Sequence, residues 1–185
     1  MITTSRTKGL ALIGGVLLLT ACTDKTTAPT MRVAAGGPSA VRIAGELDEL
    51  RARFARYNDF ANAVADGYVL GYHGAAAGCV ASAAGGMGYH YFNDAAMDDP
   101  AIDSMKPEVL VYHEDEDGRL KLGAVEWVVP KSTWEAAGNT APPMVYAHAL
   151  HIINPALNWY VEHAWLYSEN PAGVWVDFSP DVMCP

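Results

Sequence analysis

An Asp-Gly dipeptide between two β-rich segments constrains the fold of this chain more than any other feature. Residues 107–113 read P-E-V-L-V-Y-H and residues 119–129 read R-L-K-L-G-A-V-E-W-V-V, with Asp117-Gly118 between them. Asp-Gly at this position is a strong hairpin signal because glycine accepts the positive φ that a tight turn needs. The acids at 114–117 lack the spacing and the distal glutamate of an EF-hand. The sequence therefore predicts an antiparallel hairpin with a solvated turn.

Further strands are expected near residues 86–93 and at the end of the chain. Residues 160–184 predict a strand, an Asn-Pro-x-Gly turn and a second aromatic strand. Alternation along the first of these strands places Val161, His163, Trp165 and Tyr167 on one face. The Gly/Ala-rich residues 69–86 predict a loop. Residues 144–159 fit a short helix or an irregular loop.

Ahead of the strands, residues 41–68 carry a helical pattern. Apolar residues recur there at three- and four-residue steps with charged residues between them. The pattern predicts one long amphipathic helix, or two that break near Asn58-Asp59, with a stop at Asp66-Gly67. The predicted fold class is α+β, an N-terminal amphipathic helix packed on a mostly antiparallel sheet of four to five strands and closed by one disulfide.

The first 40 residues indicate a cellular location rather than a fold. Arg6 and Lys8 precede an apolar run of eleven residues, 9–19, which is too short to span a bilayer. Leu19-Thr-Ala-Cys22 then resembles the lipobox of bacterial lipoproteins, which implies cleavage before Cys22 and lipidation of that residue. We therefore expect a signal peptide at 1–21, a flexible tether at 22–40 and a single domain at 41–185, lipid-anchored in the cell envelope.

The number and positions of the cysteines agree with the predicted export. If Cys22 carries lipid, Cys79 and Cys184 are left to pair in an oxidising compartment. The competing interpretation is a Cys/His metal site, which is weaker because the chain has no C-x-x-C. The sequence predicts the disulfide.

The charge of the chain excludes one class of partner. The formal charge of −9 becomes −11 in the mature chain, because Arg6 and Lys8 leave with the signal peptide. No Lys/Arg cluster provides the basic surface that nucleic acids need. The predicted attachment to the membrane is through the lipid on Cys22 alone.

Three polar residues within predicted strands are candidate metal ligands: His90, Glu126 and His163. Two imidazoles and a carboxylate suit Zn²⁺ or Fe²⁺, or copper with help from Met87, so one divalent metal is the candidate cofactor. A metal-dependent enzyme would use it as a Lewis acid. The alternation of side chains along a strand counts against the site, because it places Glu126 on the opposite face of its strand from Val125 and Trp127. The alternative is that the three are hydrogen-bonded polar residues on a half-solvated sheet.

A binding or interaction module is the rival class. Five tryptophans, nine tyrosines and four phenylalanines can line a cleft for a hydrophobic or sugar-like ligand. The candidate walls of this cleft are Tyr89, Tyr91, Trp127 and Trp165. We find no G-x-S-x-G, H-E-x-x-H or P-loop, so no catalytic residue is assigned from a motif.

Several short motifs, taken together, resemble a family of small exported bacterial proteins and lipoproteins of uncharacterised function. They include Ala65-Asp-Gly-Tyr68, Met87-Gly-Tyr-His-Tyr-Phe-Asn93, His163-Ala-Trp-Leu-Tyr167, Asn170-Pro-Ala-Gly173 and the closing Cys184. The resemblance covers roughly residues 50–185. It implies export and one domain and brings no activity. The expected function is therefore a lipid-anchored envelope protein that binds a small ligand or a metal, with a metal-dependent enzyme and a non-catalytic interaction module as alternatives.

Overall fold

Helices and a six-stranded antiparallel sheet make up most of the part of the chain that the computed structural model describes, residues 38–75 and 77–185. Side chains are described from residue 45 onwards. The predicted signal peptide, Cys22 and most of the tether lie outside these residues. Within them, no helix is long and apolar enough to cross a membrane.

The helices are short. They are α1 (Pro38–Phe54), α2 (Phe60–Ala65), α3 (Asp94–Met97) and α4 (Lys131–Ala136), with a 3-10 turn at Ala55–Asn58 after α1. The predicted break near Asn58-Asp59 is confirmed, because the Asp59 side chain accepts the N–H of Ala61 and caps α2. Such a cap begins a new helix and ends the preceding one.

The strands are β1 (Tyr68–Leu70), β2 (Cys79–Ser82), β3 (Gly85–Asn93), β4 (Val109–Glu114), β5 (Leu120–Pro130), β6 (Met144–Val145), β7 (His148–Ala149) and β8 (Trp159–Trp165). The main sheet has the order β1-β3-β4-β5-β8, with β2 also paired to β3, and β6 and β7 form a separate hairpin. The predicted class of helix plus antiparallel sheet is confirmed, and so is the hairpin, which is β4 and β5.

The described main sheet has six strands rather than the four to five predicted. The two additional strands, β1 and β2, lie in the Gly/Ala-rich stretch that was expected to be a loop. The predicted second C-terminal strand is wrong. Residues 174–178 form turns, and the carbonyl oxygen of Val176 accepts the indole N–H of Trp165 instead of pairing with a strand.

Both faces of the sheet are buried. One face packs on α1 and α2 through a core that includes Leu50, Phe54, Tyr112 and Trp127. The second core, on the other face, includes Phe92, Val111, Val128 and Trp165, and is covered in part by Met97 of α3 and by Val182. A strand buried on both faces can carry apolar residues at every position, which removes the alternation that sequence analysis relies on.

The C-terminal segment is held against β2 and β3. Ser179 exchanges two backbone hydrogen bonds with Gly86, and a Cβ on Gly86 would lie 2.5 Å from the carbonyl oxygen of Val182. Only glycine permits that approach. The predicted disulfide between Cys79 and Cys184 is present, with 5.5 Å between the two Cα atoms. It closes the chain end onto β2.

Candidate functional site

A carboxylate and two imidazoles meet on the second face of the sheet, the one opposite α1 and α2. Glu126 of β5 lies directly across from His163 of β8 in the strand register, and His90 of β3 approaches from beyond β4. The three side chains share this face with Phe92, Val128 and Trp165. The structure thus brings together the three residues that the sequence suggested as a group.

Both imidazoles of the triad converge on a single oxygen of Glu126. Glu126 Oε1 lies 2.8 Å from His163 Nδ1 and 3.3 Å from His90 Nε2. All three residues are buried: His163 is 0% exposed, Glu126 3% and His90 5%. Two ring nitrogens directed at one carboxylate oxygen form a buried polar network in which the carboxylate fixes the orientation of both imidazoles.

Glu126 is held in its ionised form. Burial alone would raise the pKa of its carboxyl group, but the contacts with the His90 and His163 imidazoles outweigh burial and lower this pKa to about 2. A buried carboxylate of this kind is stable only while its partners remain in place.

The geometry of the triad differs from that of a metal centre. Metal ligands surround a common point at about 2.0–2.2 Å from each donor atom, whereas here the nitrogens contact the carboxylate itself. Across residues 38–75 and 77–185, no group of three or more His, Cys, Asp or Glu side chains is arranged to hold a metal ion. The predicted ligands His90, Glu126 and His163 contact one another here, and their role as metal ligands stays a prediction.

An apolar cavity of about 280 Å³ lies against the triad. His90 and Glu126 are part of its wall, and Asn154, which is exposed, stands at its rim. The other lining residues are apolar: Val80, Met87, Phe92, Val128, Ile153, Leu157, Trp159 and Val161. Such a cavity, mostly apolar with a few polar groups, is the usual form of a small-molecule site.

A bulge in β3 places Met87 beside His90 in this wall. Val80 pairs with Gly88 and Ala81 with Gly86, so Met87 is the extra residue of the strand. Gly88 has φ +116°, and a Cβ there would lie 2.3 Å from the carbonyl oxygen of Tyr112. Bulges of this kind redirect side chains next to functional sites. Here the bulge lets an odd-numbered and an even-numbered residue line the same cavity.

The predicted aromatic cleft does not form as a unit. Trp127 and Tyr91 belong to the helix-side core, Trp165 is buried on the other face, and Tyr89 hydrogen-bonds Glu114 near the hairpin end. Trp165 is separated from Trp127 and Tyr91 because it lies on the opposite face of the sheet. Trp159 is the aromatic residue of β8 that lines the cavity.

A second group of titratable residues lies at the β8 edge of the sheet. His148 and His151 approach the two oxygens of Glu162 at 3.5 and 3.7 Å, and His151 also lies 3.0 Å from Asp177. Burial raises the pKa of Glu162 to about 7, although the nearby His151 opposes this shift. His148 lies in β7 and His151 follows that strand, so the β6–β7 hairpin positions both histidines.

One buried carboxyl group, Glu108, has no counterpart among the residues chosen from sequence. It precedes β4 and accepts the backbone N–H of Val128 at 2.9 Å. Burial raises the pKa of Glu108 to about 8, against the lowering effect of that hydrogen bond. A glutamate next to a proline, in the run P-E-V-L-V, carries no sequence signal that distinguishes it from a surface residue.

Replacement of Glu108 by glutamine is expected to stabilise the protein at alkaline pH. Between the ordinary glutamate pKa and about 8, the unfolded chain is ionised and the folded chain is protonated, so wild-type stability falls as pH rises. Glutamine does not titrate, and the gain should reach about 5 kcal/mol at pH 9, the size that a rise of the pKa from 4.5 to about 8 gives. Urea unfolding at pH 5 and pH 9 measures it, with the exposed Glu116→Gln as control. Equal stability of Glu108→Gln and wild type at pH 9 would contradict the assignment.

Comparison of the chain with models of known protein families, with curated proteins and with solved structures finds no match. The function is therefore argued from the geometry of the site.

Proposed function

We propose that this protein binds a small, mainly apolar molecule carrying one hydroxyl or N–H group, in the cavity beside His90 and Glu126. The observation that carries the proposal is the state of His90 Nδ1. This atom is buried and has no hydrogen-bond partner among the described residues. A buried polar atom without a hydrogen-bond partner destabilises the protein. A ligand that supplies the partner removes this penalty, which makes its free energy of binding more favourable.

The contact with Glu126 decides what His90 offers to the ligand. Because Nε2 faces the carboxylate at 3.3 Å, the neutral ring carries its proton on Nε2. Nδ1 then presents a lone pair and acts as an acceptor. The matching ligand group is a donor, such as a phenol, an alcohol or an indole-type N–H.

The size and lining of the cavity limit the rest of the ligand. An apolar cavity of about 150 Å³ accommodates benzene, and the cavity here measures about 280 Å³. By proportion it suits on the order of a dozen non-hydrogen atoms. Valine, leucine, isoleucine and aromatic side chains form most of the wall, which favours a fused-ring or branched hydrocarbon body over a sugar.

The cellular setting of this site is also a proposal. The lipobox-like Leu19-Thr-Ala-Cys22 supports export and lipid attachment. The Cys79–Cys184 disulfide supports an oxidising compartment, because such bonds persist mainly outside the cytosol. The proposed protein is therefore a lipid-anchored envelope protein whose domain captures small apolar molecules near the membrane.

Two probes that differ by one hydroxyl test the binding proposal. Calorimetric titration of the disulfide-bonded protein should show 1-naphthol binding about tenfold more tightly than naphthalene, the ratio that a satisfied buried acceptor supplies. In His90→Leu, which keeps an apolar side chain but removes Nδ1, the two affinities should become equal. His148→Leu removes an imidazole that does not line the cavity and should leave the tenfold preference intact.

Two results would contradict different parts of the binding proposal. If neither probe binds the folded wild-type protein, the cavity is not a site for ligands of this class. If naphthalene binds as tightly as 1-naphthol, the cavity binds apolar molecules but His90 does not recognise a donor. Circular dichroism of each variant, recorded under the same conditions, confirms that the comparison is made between folded proteins.

A further inference from the structure

A serine and a histidine that the triad does not use lie in hydrogen-bond contact at the far end of the β4–β5 hairpin. Ser168 Oγ is 2.7 Å from His113 Nε2, and both residues are partly buried. The other ring nitrogen, His113 Nδ1, lies 3.2 Å from the carbonyl oxygen of Glu114. A serine hydroxyl on one ring nitrogen and an acceptor on the other is the arrangement of an activated nucleophile with its oriented base.

The backbone around the pair holds it in this geometry. Gly123 of β5 accepts the N–H groups of Tyr167 and Ser168 at 3.0 and 3.2 Å, which fixes the position of the serine. A Cβ on Gly123 would lie 2.8 Å from Cδ2 of His113 and 3.2 Å from the Trp165 ring. The absence of a side chain at this position therefore provides the room for the imidazole.

Ser168 also has access to space. It lines a cavity of about 480 Å³ together with Arg51, Leu166, Glu169, Pro171 and Val174, and His113 is not part of that lining. The nucleophile thus borders the cavity and the base lies behind it. Within the described part of the chain, the backbone N–H of Glu169 donates to no backbone acceptor. The N–H that follows a nucleophilic serine is a common donor to the oxyanion.

We propose that Ser168 and His113 form an acyl-transfer site that hydrolyses small carboxylic esters. Ser168 Oγ attacks the ester carbonyl carbon while its proton moves to His113 Nε2. The C–O bond to the alcohol breaks, and the alcohol leaves with the proton from His113. Water then gives a proton to the same nitrogen and attacks the acyl carbon, the bond from that carbon to Ser168 Oγ breaks, and His113 returns the proton to Ser168 Oγ as the acid is released. No co-reactant other than water is consumed, and the site is separate from the cavity beside His90.

Esters are the chemical class that this pair favours. The acceptor behind His113 is a neutral backbone carbonyl, which stabilises an imidazolium less than a carboxylate does. An alcohol leaving group depends less on protonation by the imidazolium than an amine leaving group does. Arg51 lines the same cavity and brings a positive charge to it, while its Nε donates to the carbonyl oxygen of Leu166 and its Nη1 pairs with Asp48.

Labelling of the full chain with a fluorophosphonate tests the proposal, because these reagents react with activated serines. The rate at Ser168, followed by mass spectrometry, should exceed the rate at the exposed Ser132 of the same molecule by at least about a hundredfold, the usual contribution of a general base. His113→Gln keeps a hydrogen-bonding group but cannot accept the proton, and should reduce labelling of Ser168 to the rate of Ser132. His148→Gln should leave it unchanged.

Two results would overturn the proposal. Equal labelling rates at Ser168 and Ser132 in the wild-type protein would show that Ser168 is not activated, and this comparison needs no variant. Rapid labelling of Ser168 that persists in His113→Gln would show that His113 is not its base. Neither result bears on naphthol binding, so this proposal and the ligand-binding proposal fail independently.

Discussion

Replacement of both Cys79 and Cys184 by alanine is expected to lower the free energy of unfolding by about 4 kcal/mol. The bond joins residues that are 105 positions apart, and closure of so long a loop restricts the unfolded chain strongly. The loss should be seen in urea unfolding as a lower midpoint. It is the largest single contribution to stability that we assign in this protein.

Reduction of the wild-type protein provides the matched control. Wild type with a thiol reductant should unfold at the same urea concentration as the double alanine variant, because both lack the same cross-link. The variant itself should not respond to the reductant. A loss below about 1 kcal/mol would mean that the backbone bonds between Ser179 and Gly86 hold the chain end without the disulfide.

Removal of the Glu126 carboxylate is expected to cost about 3 kcal/mol of stability at pH 7. Glu126→Ala leaves the imidazoles of His90 and His163 buried without their common acceptor, and removal of one partner from a buried charged network carries a penalty of this size. Glu126→Gln should lose less, since its amide oxygen still accepts one N–H. Thermal or urea unfolding measures both variants against the exposed Glu116→Gln.

The contribution of Glu126 should disappear in acid. Its pKa is lowered to about 2 in the folded protein, so the stabilisation is complete above the ordinary glutamate pKa and is lost as pH falls from there through about 2. The gap between wild type and Glu126→Ala should therefore narrow across this range. A gap that stays constant from pH 7 to pH 2, or a variant as stable as wild type at pH 7, would contradict the assignment of Glu126 as a buried carboxylate.

Local signals in the sequence predicted much of the framework. Asp117-Gly118 gave the hairpin because the turn needs positive φ, and Gly118 has φ +73°. Asp66-Gly67 marked the end of the helical region, and Gly67 has φ +88°. The pairing of Cys79 with Cys184 was predicted from two further predictions, that the chain is exported and that Cys22 carries lipid. Each of these inferences depends on residues near in sequence or on a small number of choices.

Residue type predicted the members of the triad, whereas the alternation of apolar and polar residues did not predict its geometry. Alternation puts Glu126 on one face of the strand and Val125 and Trp127 on the other, and this counted against a site only if one of the two faces is exposed to solvent. Both faces are buried, so the apolar residues on either side carry no information about direction. The reach of His90 across β4 to Glu126 depends on strand order, which a single sequence does not specify.

The regions that were mispredicted share a different cause. Gly85 and Gly86 indicated a loop, but they are needed because the C-terminal segment crosses β3 at backbone contact distance. The aromatic run near Trp175 indicated a strand, but its side chain packs against His148 and Trp127 while the backbone turns. Propensity was overridden in both places by tertiary contacts.

Nitrogen-15 spectra of the histidine side chains would test the central claim, that His90 Nδ1 receives a ligand's hydrogen bond, most directly. Saturation of the wild-type protein with 1-naphthol should shift the Nδ1 resonance of His90, because that atom gains a donor it lacks in the free protein. Naphthalene should leave the resonance in place, and the nitrogens of His148 should not respond to either probe. An unchanged His90 Nδ1 signal at saturating 1-naphthol would contradict the account.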